Sequence, residues 1–465
     1  MVSSNYLLAL PILVALYLLS SSQITRLCLL LLGGVIALWS DGWTNFLLIF
    51  VLLFVTWWGG KLLERYWPGN RTALGLLIAL EITPLLLHKF IKAGLWGLVD
   101  PAWLDAQGLS GWLPPLGLSV MTFQAVSYTV DRYRRQLDTG AWPHYAVYMT
   151  FFPHLAAGPI LRASDFVNQL VSKRDVSSDD IREGLWRIAR GLAKKLILSD
   201  VIAKAGVDPV FADPASFSSL EIQIALLAYT FQIYLDFSGY TDVVIGSARL
   251  LGFRLPENFN RPYHASSIAE YWRRWHISLS AWVTHYVYYP LGGSRVERWK
   301  IYRNVMISIL LLAVWHGVTL NFLLYGLLHG TAVCLNRWLR FQAWWQAWVV
   351  QYEKRILIVG WIVTFSFVVI ARVLFKTPTL DDAALFTGYL IESELSGAPR
   401  FAPLFWVCLV VGVVSYFCPL RVTDAARTTF KRLHPVVQGV VFGAVLLTGA
   451  YLSGGQALNF IYRNF

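Results

Sequence analysis

The sequence predicts an all-α, polytopic integral membrane protein with roughly 11–13 transmembrane or re-entrant helices. Of its 465 residues, 56% are hydrophobic and 14% are charged, a balance that soluble domains rarely show. Because about 20 helical residues cross a ~30 Å hydrocarbon layer, each apolar run of that length is a candidate membrane helix. These runs lie near residues 5–20, 24–40, 43–60, 72–96, 112–130, 219–236, 304–336 (two passes), 356–375, 403–419 and 436–452.

The first apolar run has no basic segment before it and no small-residue cleavage site after it, and more apolar runs follow at once. This pattern predicts a retained helix and not a removable signal peptide. The chain also has no visible internal repeat and no long linker rich in Gly, Ser or Pro. We therefore expect one membrane domain over residues 1–465, divided into N-terminal helices (1–111), a central core (112–336) and C-terminal helices (337–465).

Lysine and arginine outnumber the acidic residues by 39 to 27, which gives a net charge of +12. Such an excess indicates either nucleic-acid binding or a membrane topology with basic cytoplasmic loops. The distribution of the charges favours basic cytoplasmic loops, because basic clusters alternate with acidic or neutral loops. The expected partner is therefore membrane lipid and not nucleic acid. The basic clusters lie at 61–71, 132–135, 295–303, 354–355 and 421–432, and the other loops lie around 41, 100–105 and 381–394. The alternation places the N-terminus, the loop 376–402 and the C-terminal tail outside, and directs 112–130 inward.

Two stretches depart from a simple series of membrane helices. The apolar segment 145–161 has basic loops on both sides, and its Phe152-Pro153-His154 and Gly158-Pro159 sequences break a regular helix, which predicts a re-entrant segment. The element 183–203 is amphipathic, with Arg187, Arg190 and Lys194 at helical spacing. It is interpreted as a helix at the cytoplasmic interface or as a cationic wall for a phosphorylated donor.

Other catalytic chemistries have little support in the sequence. The four cysteines, Cys28, Cys334, Cys408 and Cys418, lie in or at the ends of apolar runs without a CxxC pair, so they are expected to pack as small hydrophobic side chains. No HExxH motif or carboxylate–histidine cluster indicates a metal site, and no G-x-S-x-G elbow indicates a serine nucleophile. Ser278 and Ser280 remain weak nucleophile candidates.

Two histidines are the principal candidates for function. His276 lies in the sequence YWRRWHISLS, and His316 lies in VWHG, forty residues further along. His316 is thirteen residues beyond Arg303, or roughly 20 Å along a straight helix, well inside the hydrocarbon layer. An ionisable residue at that depth usually faces a cavity or pathway, although a single histidine can also be a packing group. His329 is expected to be structural.

The central part of the chain is rich in polar and turn-forming residues, at 236–242 and 256–263. The stretch 270–286 that follows predicts one short helix in which Trp272 and His276 share a face, with Arg273 and Ser280 nearby. A Tyr-Pro-Leu-Gly-Gly sequence at 289–293 then ends it. The alternative is an interfacial helix whose tryptophans lie at headgroup level and whose arginines contact lipid phosphates.

These motifs resemble the membrane-bound O-acyltransferase family. The resemblance rests on YWRRWH at 271–276, YPLGG at 289–293 and WHG at 315–317. Within that family the chain resembles the branch of the alginate O-acetyltransferase membrane subunit, through GLSVMTFQAVSYTVDRYR at 117–134, FFPHLAAGPILR at 151–162 and the polar stretch 236–263. The branch pattern WHGAxWTFxxWGxxHG reads WHGVTLNFLLYGLLHG here, so its second and third tryptophans are replaced while both histidines remain.

The resemblance implies a ring of helices around a thin central region, with a cytoplasmic funnel for the acyl donor and an extracytoplasmic funnel for the acceptor. It implies His316 as general base and His276 as the group that orients the donor or stabilises the oxyanion. Trp272, Arg273 and Arg274 are candidates for binding the donor, acetyl-CoA, which is a substrate; no permanently bound cofactor or metal is expected.

The same resemblance implies acetyl transfer to an extracytoplasmic polysaccharide at the bacterial inner membrane. The acceptor could be alginate, another exopolysaccharide, cellulose or peptidoglycan, reached directly or through a periplasmic acetyltransferase partner. The alternatives are a transporter of acyl groups or lipid-linked sugars without catalysis, and an acyltransferase for another donor such as D-alanyl. Paired half-helices in inverted repeats, which would indicate a transporter, are not evident in the sequence.

Overall fold

The computed structural model describes residues 4–92, 115, 117–137, 141–155, 158–172, 175–392 and 398–452. Within these ranges all regular elements are helices, except for one isolated antiparallel bridge between Phe259 and Trp275. The predicted all-α class is therefore confirmed. The predictions for the loop at 100–105 and for the tail after residue 452 concern residues outside those ranges, as does part of the basic loop that follows 145–161, at Lys173 and Arg174.

We number the longer helices in chain order and treat the shorter turns as connections. They are α1 Ser4–Leu19, α2 Gln23–Trp39, α3 Trp43–Tyr66, α4 Arg71–Lys92, α5 Leu118–Tyr133, α6 Trp142–Thr150, α7 Ala163–Val171, α8 Ser178–Leu192, α9 Ser219–Leu250, α10 Ile268–Arg274, α11 Ile277–Val283, α12 Arg298–His316, α13 Leu320–Arg340, α14 Ala343–Gln351, α15 Glu353–Lys376, α16 Leu380–Glu392, α17 Pro403–Phe417, α18 Leu420–Arg432 and α19 Pro435–Leu452. After α8 the chain continues through two π-helical segments, Ala193–Ser199 and Ala203–Val207.

Several helices have the length and composition of membrane spans. Among the described residues, four qualify: Trp43–Tyr66, Arg71–Ile91, Glu353–Lys376 and Pro435–Leu452. The pair α17 and α18, bent by 101°, is a fifth if it forms one broken span. Four or five of the apolar runs that predicted a polytopic protein thus coincide with helices long and apolar enough to cross a membrane. The total of 11–13 spans and the two funnels stay predictions.

The described residues fall into two compact units. The first comprises Met1–Ile188 and Val243–Pro256, and the second comprises Ala189–Asp242 and Glu257–Phe465. In the first unit, α3 packs on α4 and α5, and α2 packs on α6. An aromatic cluster fills the contact of α3 with α5 and α6, where Tyr128 lies 4.5 Å from Tyr145 and Trp57 lies 5.1 Å from Tyr145 between ring centroids. The prediction of one membrane domain with three parts stays open.

The predicted interruption near residue 151 is present in the first unit. Helix α6 ends at Thr150 and α7 begins at Ala163. Between them Phe151 and His154 are buried, and the His154 Nδ1 atom lies 2.8 Å from the Phe151 carbonyl oxygen. Proline removes a backbone donor and prevents a regular helix here, and the hydrogen bond from His154 gives a partner to one buried carbonyl that has no helical partner.

In the second unit the central feature is a hairpin of α12 and α13, the two passes expected in 304–336. Helix α13 also packs on α10 and α15. Helices α17 and α19 pack on the π-helical segment Ala193–Ser199. The two histidines singled out by the sequence both belong to this unit.

Helix α9 corrects the expectation of turn structure in 236–242, because the helix runs without a break from Ser219 to Leu250. The polar side chains within it have charged partners from the preceding segment, so the helix tolerates them. At Gly239 an added Cβ would lie 2.8 Å from the Gly191 carbonyl oxygen. Glycine therefore serves here for close approach of two helices and not for a turn.

Candidate functional site

His316 is the last residue of α12, where the helix ends against its own hairpin partner. The Gly317 N–H donates to the Ala313 carbonyl, and α13 begins three residues later at Leu320. The His316 side chain is buried and lies among three aromatic rings. Its ring centroid is 4.6 Å from that of Trp315, 5.1 Å from Phe375 and 5.9 Å from Phe322. A Cβ on Gly317 would lie 2.6 Å from the Phe322 ring, so glycine is needed for this packing.

His276 lies at a break in the chain that the sequence did not predict. The single helix expected over 270–286 is wrong: α10 ends at Arg274 and α11 begins at Ile277. Trp275 is extended because it pairs with Phe259, with the Asn260 N–H donating to the Arg274 carbonyl and the Ile277 N–H to the Asn258 carbonyl. His276 itself has a left-handed backbone, φ 45°, which is uncommon for a non-glycine residue.

This backbone turns the His276 side chain into the core of the second unit. The imidazole is buried, with its centroid 4.7 Å from Phe237 on α9 and 5.9 Å from Trp315 on α12. Burial lowers the pKa of His276 to about 3, because desolvation disfavours the charged form. The imidazole is therefore neutral at pH 7 and offers one N–H donor and one acceptor nitrogen.

The structure brings the two predicted histidines together around one tryptophan. The Trp315 ring centroid lies 4.6 Å from that of His316 and 5.9 Å from that of His276. Two imidazoles from elements 40 residues apart thus share one buried aromatic environment. Such a site can hold a neutral base and a hydrogen-bond donor in fixed positions without competition from bulk water.

Arg372 joins this site, although no motif in the sequence singled it out. It lies on α15, is 1% exposed, and donates from Nη2 to the Tyr271 hydroxyl over 2.9 Å. Its guanidinium carbon lies 4.6 Å from the Trp275 ring centroid and 5.4 Å from that of Phe375. Arg372 therefore contacts the residue next to His276 and the ring that packs on His316. A charged residue inside the apolar run 356–375 was the available signal.

The predicted donor-binding residues do not act as one group. Arg274 forms an ion pair with Glu270, at 2.7 Å, and donates to the Asn260 carbonyl, so it stabilises the bend between α10 and the bridge. Arg273 is exposed. Trp272 does not share a face with His276 as predicted; its ring packs edge to face against His329, at 5.4 Å.

Two further polar residues near the histidines have structural partners. The Ser278 hydroxyl donates to Asn258 Oδ1 over 2.6 Å, which ties the start of α11 to the bridge segment. The Asn321 side-chain amide donates to the carbonyls of Thr377 and Thr379, at 2.8 and 2.9 Å. Asn321 thus joins the start of α13 to the end of α15.

Three cations of the amphipathic stretch 183–203 bind carboxylates of α9 in the second unit, whereas Arg187 pairs with Glu183 of its own helix, at 3.6 Å. Arg190 and Lys194 both pair with Asp242. Lys195 is buried between Asp236, at 2.5 Å, and Asp200, at 2.8 Å. Because Phe237 follows Asp236 directly and packs on His276, this network fixes the part of α9 that supports the site.

The fold and the site together define a helical membrane protein that places two histidines in a buried aromatic site. The sequence model of the membrane-bound O-acyltransferase family matches residues 22–376, and the chain belongs to this family. Its enzyme class is therefore acyltransferase, and it is a multi-pass membrane protein. The predictions of the family, the fold class and the enzyme class are confirmed.

Individual relatives support the same assignment. A probable alginate O-acetylase of Pseudomonas aeruginosa is 36% identical over 397 residues, which are 82% of this chain and 73% of the relative. One from Azotobacter vinelandii is 35% identical over 466 residues, covering 94% of this chain and 90% of the relative. A peptidoglycan O-acetyltransferase of Helicobacter pylori is 33% identical over 296 residues, or 58% and 55% of the two chains.

Proposed function

We propose that this protein transfers acetyl groups from cytoplasmic acetyl-CoA to hydroxyls of an extracytoplasmic polysaccharide at the bacterial inner membrane. The observation that carries the proposal is the burial of His316 and His276 around Trp315. The names of the relatives, which act on alginate and peptidoglycan, support an O-acetyltransferase. The candidate acceptors are alginate or a similar exopolysaccharide, cellulose and peptidoglycan.

In the proposed reaction, neutral His316 removes the proton from an acceptor hydroxyl as its oxygen attacks the thioester carbonyl. The carbon–oxygen bond forms, the carbon–sulfur bond breaks, and the CoA thiolate takes up a proton as it leaves. A positioned base typically accelerates such a step by about 10²–10⁴-fold. The neutral His276 imidazole can donate its N–H to the developing oxyanion or to the donor.

The proposed sidedness follows from the charge distribution. Acetyl-CoA is bulky and carries several negative charges, which match the basic cytoplasmic loops. The polysaccharide is outside. In this proposal only the acetyl group crosses the thin central region of the protein. The lipid bilayer surrounds the helices. A periplasmic acetyltransferase partner can receive the group and hand it to the polysaccharide.

Release of free CoA from acetyl-CoA tests this function directly. We expect purified full-length protein in nanodiscs to release CoA when one polysaccharide of the panel is present, and not with water alone. A parallel series with a D-alanyl thioester in place of acetyl-CoA shows which acyl group the protein transfers. Equal release with and without every acceptor, or use of the D-alanyl donor alone, would contradict polysaccharide acetylation from acetyl-CoA.

If the exposed Arg273 contacts the CoA phosphates, Arg273→Glu should raise KM for acetyl-CoA by roughly fivefold, because an exposed charged pair contributes modestly. The KM for a short acetyl thioester without phosphates should not change. Arg421→Glu, another exposed arginine reversed in charge, is the matched control. An unchanged KM for acetyl-CoA would instead assign Arg273 to lipid headgroups.

A further inference from the structure

His329 and Trp272 form a buried polar pair that the proposed reaction does not use. His329, on α13, is fully buried, and among the described residues neither of its ring nitrogens has a hydrogen-bond partner. The buried Nε1 atom of Trp272, on α10, also has none within those residues. The two rings meet edge to face, with centroids 5.4 Å apart. Buried polar atoms in proteins are nearly always hydrogen-bonded, so this pair has the capacity to bind a polar ligand group.

We propose that His329 and Trp272 bind a secondary amide in the pantetheine arm of the thioester donor, an inference that rests on the proposed function. A neutral imidazole offers one N–H and one acceptor nitrogen, and the indole offers one N–H. A secondary amide carries one carbonyl acceptor and one N–H donor. The Trp272 indole can donate to the amide carbonyl while the His329 nitrogen accepts from the amide N–H. The pantetheine arm contains two such amides, whereas alginate and cellulose contain none and, among the candidate acceptors, peptidoglycan alone carries secondary amides.

The position of His329 along α13 fits the order of groups in an acyl-CoA. Leu320 follows the turn after His316, and His329 lies nine residues beyond it, or roughly 14 Å along the helix. Arg337 and Arg340 lie in the last turn of the same helix, a further ~12–16 Å on. The thioester, the amides and the phosphates of the donor occur in this order. The donor's phosphates would then lie at the basic end of the hairpin.

A continuous set of ring contacts joins His329 to the catalytic candidate. The Tyr325 ring lies 4.3 Å from His329 and 5.6 Å from Phe375, and Phe375 lies 5.1 Å from His316. Trp272 is attached to the other half of the site through α10, which also carries Tyr271, the partner of Arg372. The amide site is therefore positioned by the same elements that hold the two histidines.

The test compares three acetyl donors with the full-length protein: acetyl-CoA with two amides, S-acetyl-N-acetylcysteamine with one, and ethyl thioacetate with none. His329→Phe and Trp272→Phe should each raise KM for acetyl-CoA by about tenfold, the effect of losing one good hydrogen bond, and a rise for S-acetyl-N-acetylcysteamine as well would assign the contact to the amide nearer the thioester. The KM for ethyl thioacetate and the kcat for all three should stay close to the wild-type values. His329→Gln, which retains hydrogen-bonding atoms, should restore much of the loss.

His285→Phe and Trp299→Phe are the matched controls, because both residues lie in the same unit but make contacts away from this pair. Equal changes for all three donors, or no change for any, would overturn the proposal and would indicate that ordered water alone occupies the site.

Calorimetric binding of pantetheine separates this inference from the proposed function, because pantetheine has no acyl group to transfer. The amide site is supported if wild-type protein binds pantetheine, Trp272→Phe loses this binding, and His329→Gln binds it better than His329→Phe does. This result supports the amide site even if no acetyl transfer is found. Wild-type protein that does not bind pantetheine, or variants that bind it equally well, would overturn the amide site while leaving acetyl transfer to be judged by CoA release.

Discussion

Replacement of His316 by alanine is expected to reduce acetyl transfer by about 10²–10⁴-fold, the contribution of a positioned general base. The side chain lies at the end of α12, with its ring centroid 5.1 Å from that of Phe375 and 4.6 Å from that of Trp315. In the alanine variant, water can fill the space of the imidazole, but it does not supply a base held in a fixed position. The rate of acceptor-dependent CoA release measures the effect.

His434→Ala is the matched control, because His434 is exposed at the start of α19, and its rate should equal that of the wild type. His316→Gln removes the base while filling most of the space, so it distinguishes lost chemistry from lost packing. Both His316 variants should have the unfolding temperature of the wild type to within a few degrees. A His316→Ala protein that retains transfer within about threefold of the wild-type rate would refute the assignment of the base.

Lys195→Met is expected to destabilise the protein by about 3–5 kcal/mol, the usual cost of removing one partner from a buried ion pair. Lys195 is buried between two carboxylates, Asp236 at 2.5 Å and Asp200 at 2.8 Å. Both carboxylates are themselves almost fully buried, and without the ammonium they would repel each other. The free energy of unfolding, or the unfolding temperature in detergent, measures the loss.

Lys194→Met is a close comparison, because the neighbouring lysine is more exposed and its partner Asp242 keeps Arg190. Its destabilisation should be clearly smaller. In Lys195→Met combined with Asp236→Asn, much of the stability should return, since one uncompensated charge is gone. Equal losses for Lys194→Met and Lys195→Met would contradict the view that the buried triad anchors α9.

The same network connects stability to the site. Asp236 is followed by Phe237, whose ring lies 4.7 Å from His276. Movement of α9 would therefore displace the surface on which His276 rests. Variants of Lys195 that remain folded should lose activity in proportion to the misplacement of that imidazole, because small errors in catalytic geometry are costly.

The segments that are apolar and long enough to become helices, and the candidate residues His276 and His316, could be identified from the sequence alone. Hydrophobic run length and helix-breaking residues are local properties, so the hairpin in 304–336 and the break after Thr150 could be predicted from the residues concerned. The Trp-His-Gly and Tyr-Trp-Arg-Arg-Trp-His motifs were sufficient to indicate the family.

Which residues contact one another depends on the packing of the folded chain and could not be predicted from local patterns. The bend that directs the His276 side chain into the core depends on the pairing of Trp275 with Phe259. The position of Arg372 depends on its hydrogen bond to Tyr271, 101 residues away. Helical periodicity placed Trp272 beside His276 and left the partners of Lys195 open, because it describes one helix at a time. The sequence shows which residues carry a charge, but the role of each charge depends on its burial and on its partners from other helices. Both arise only when the chain has folded.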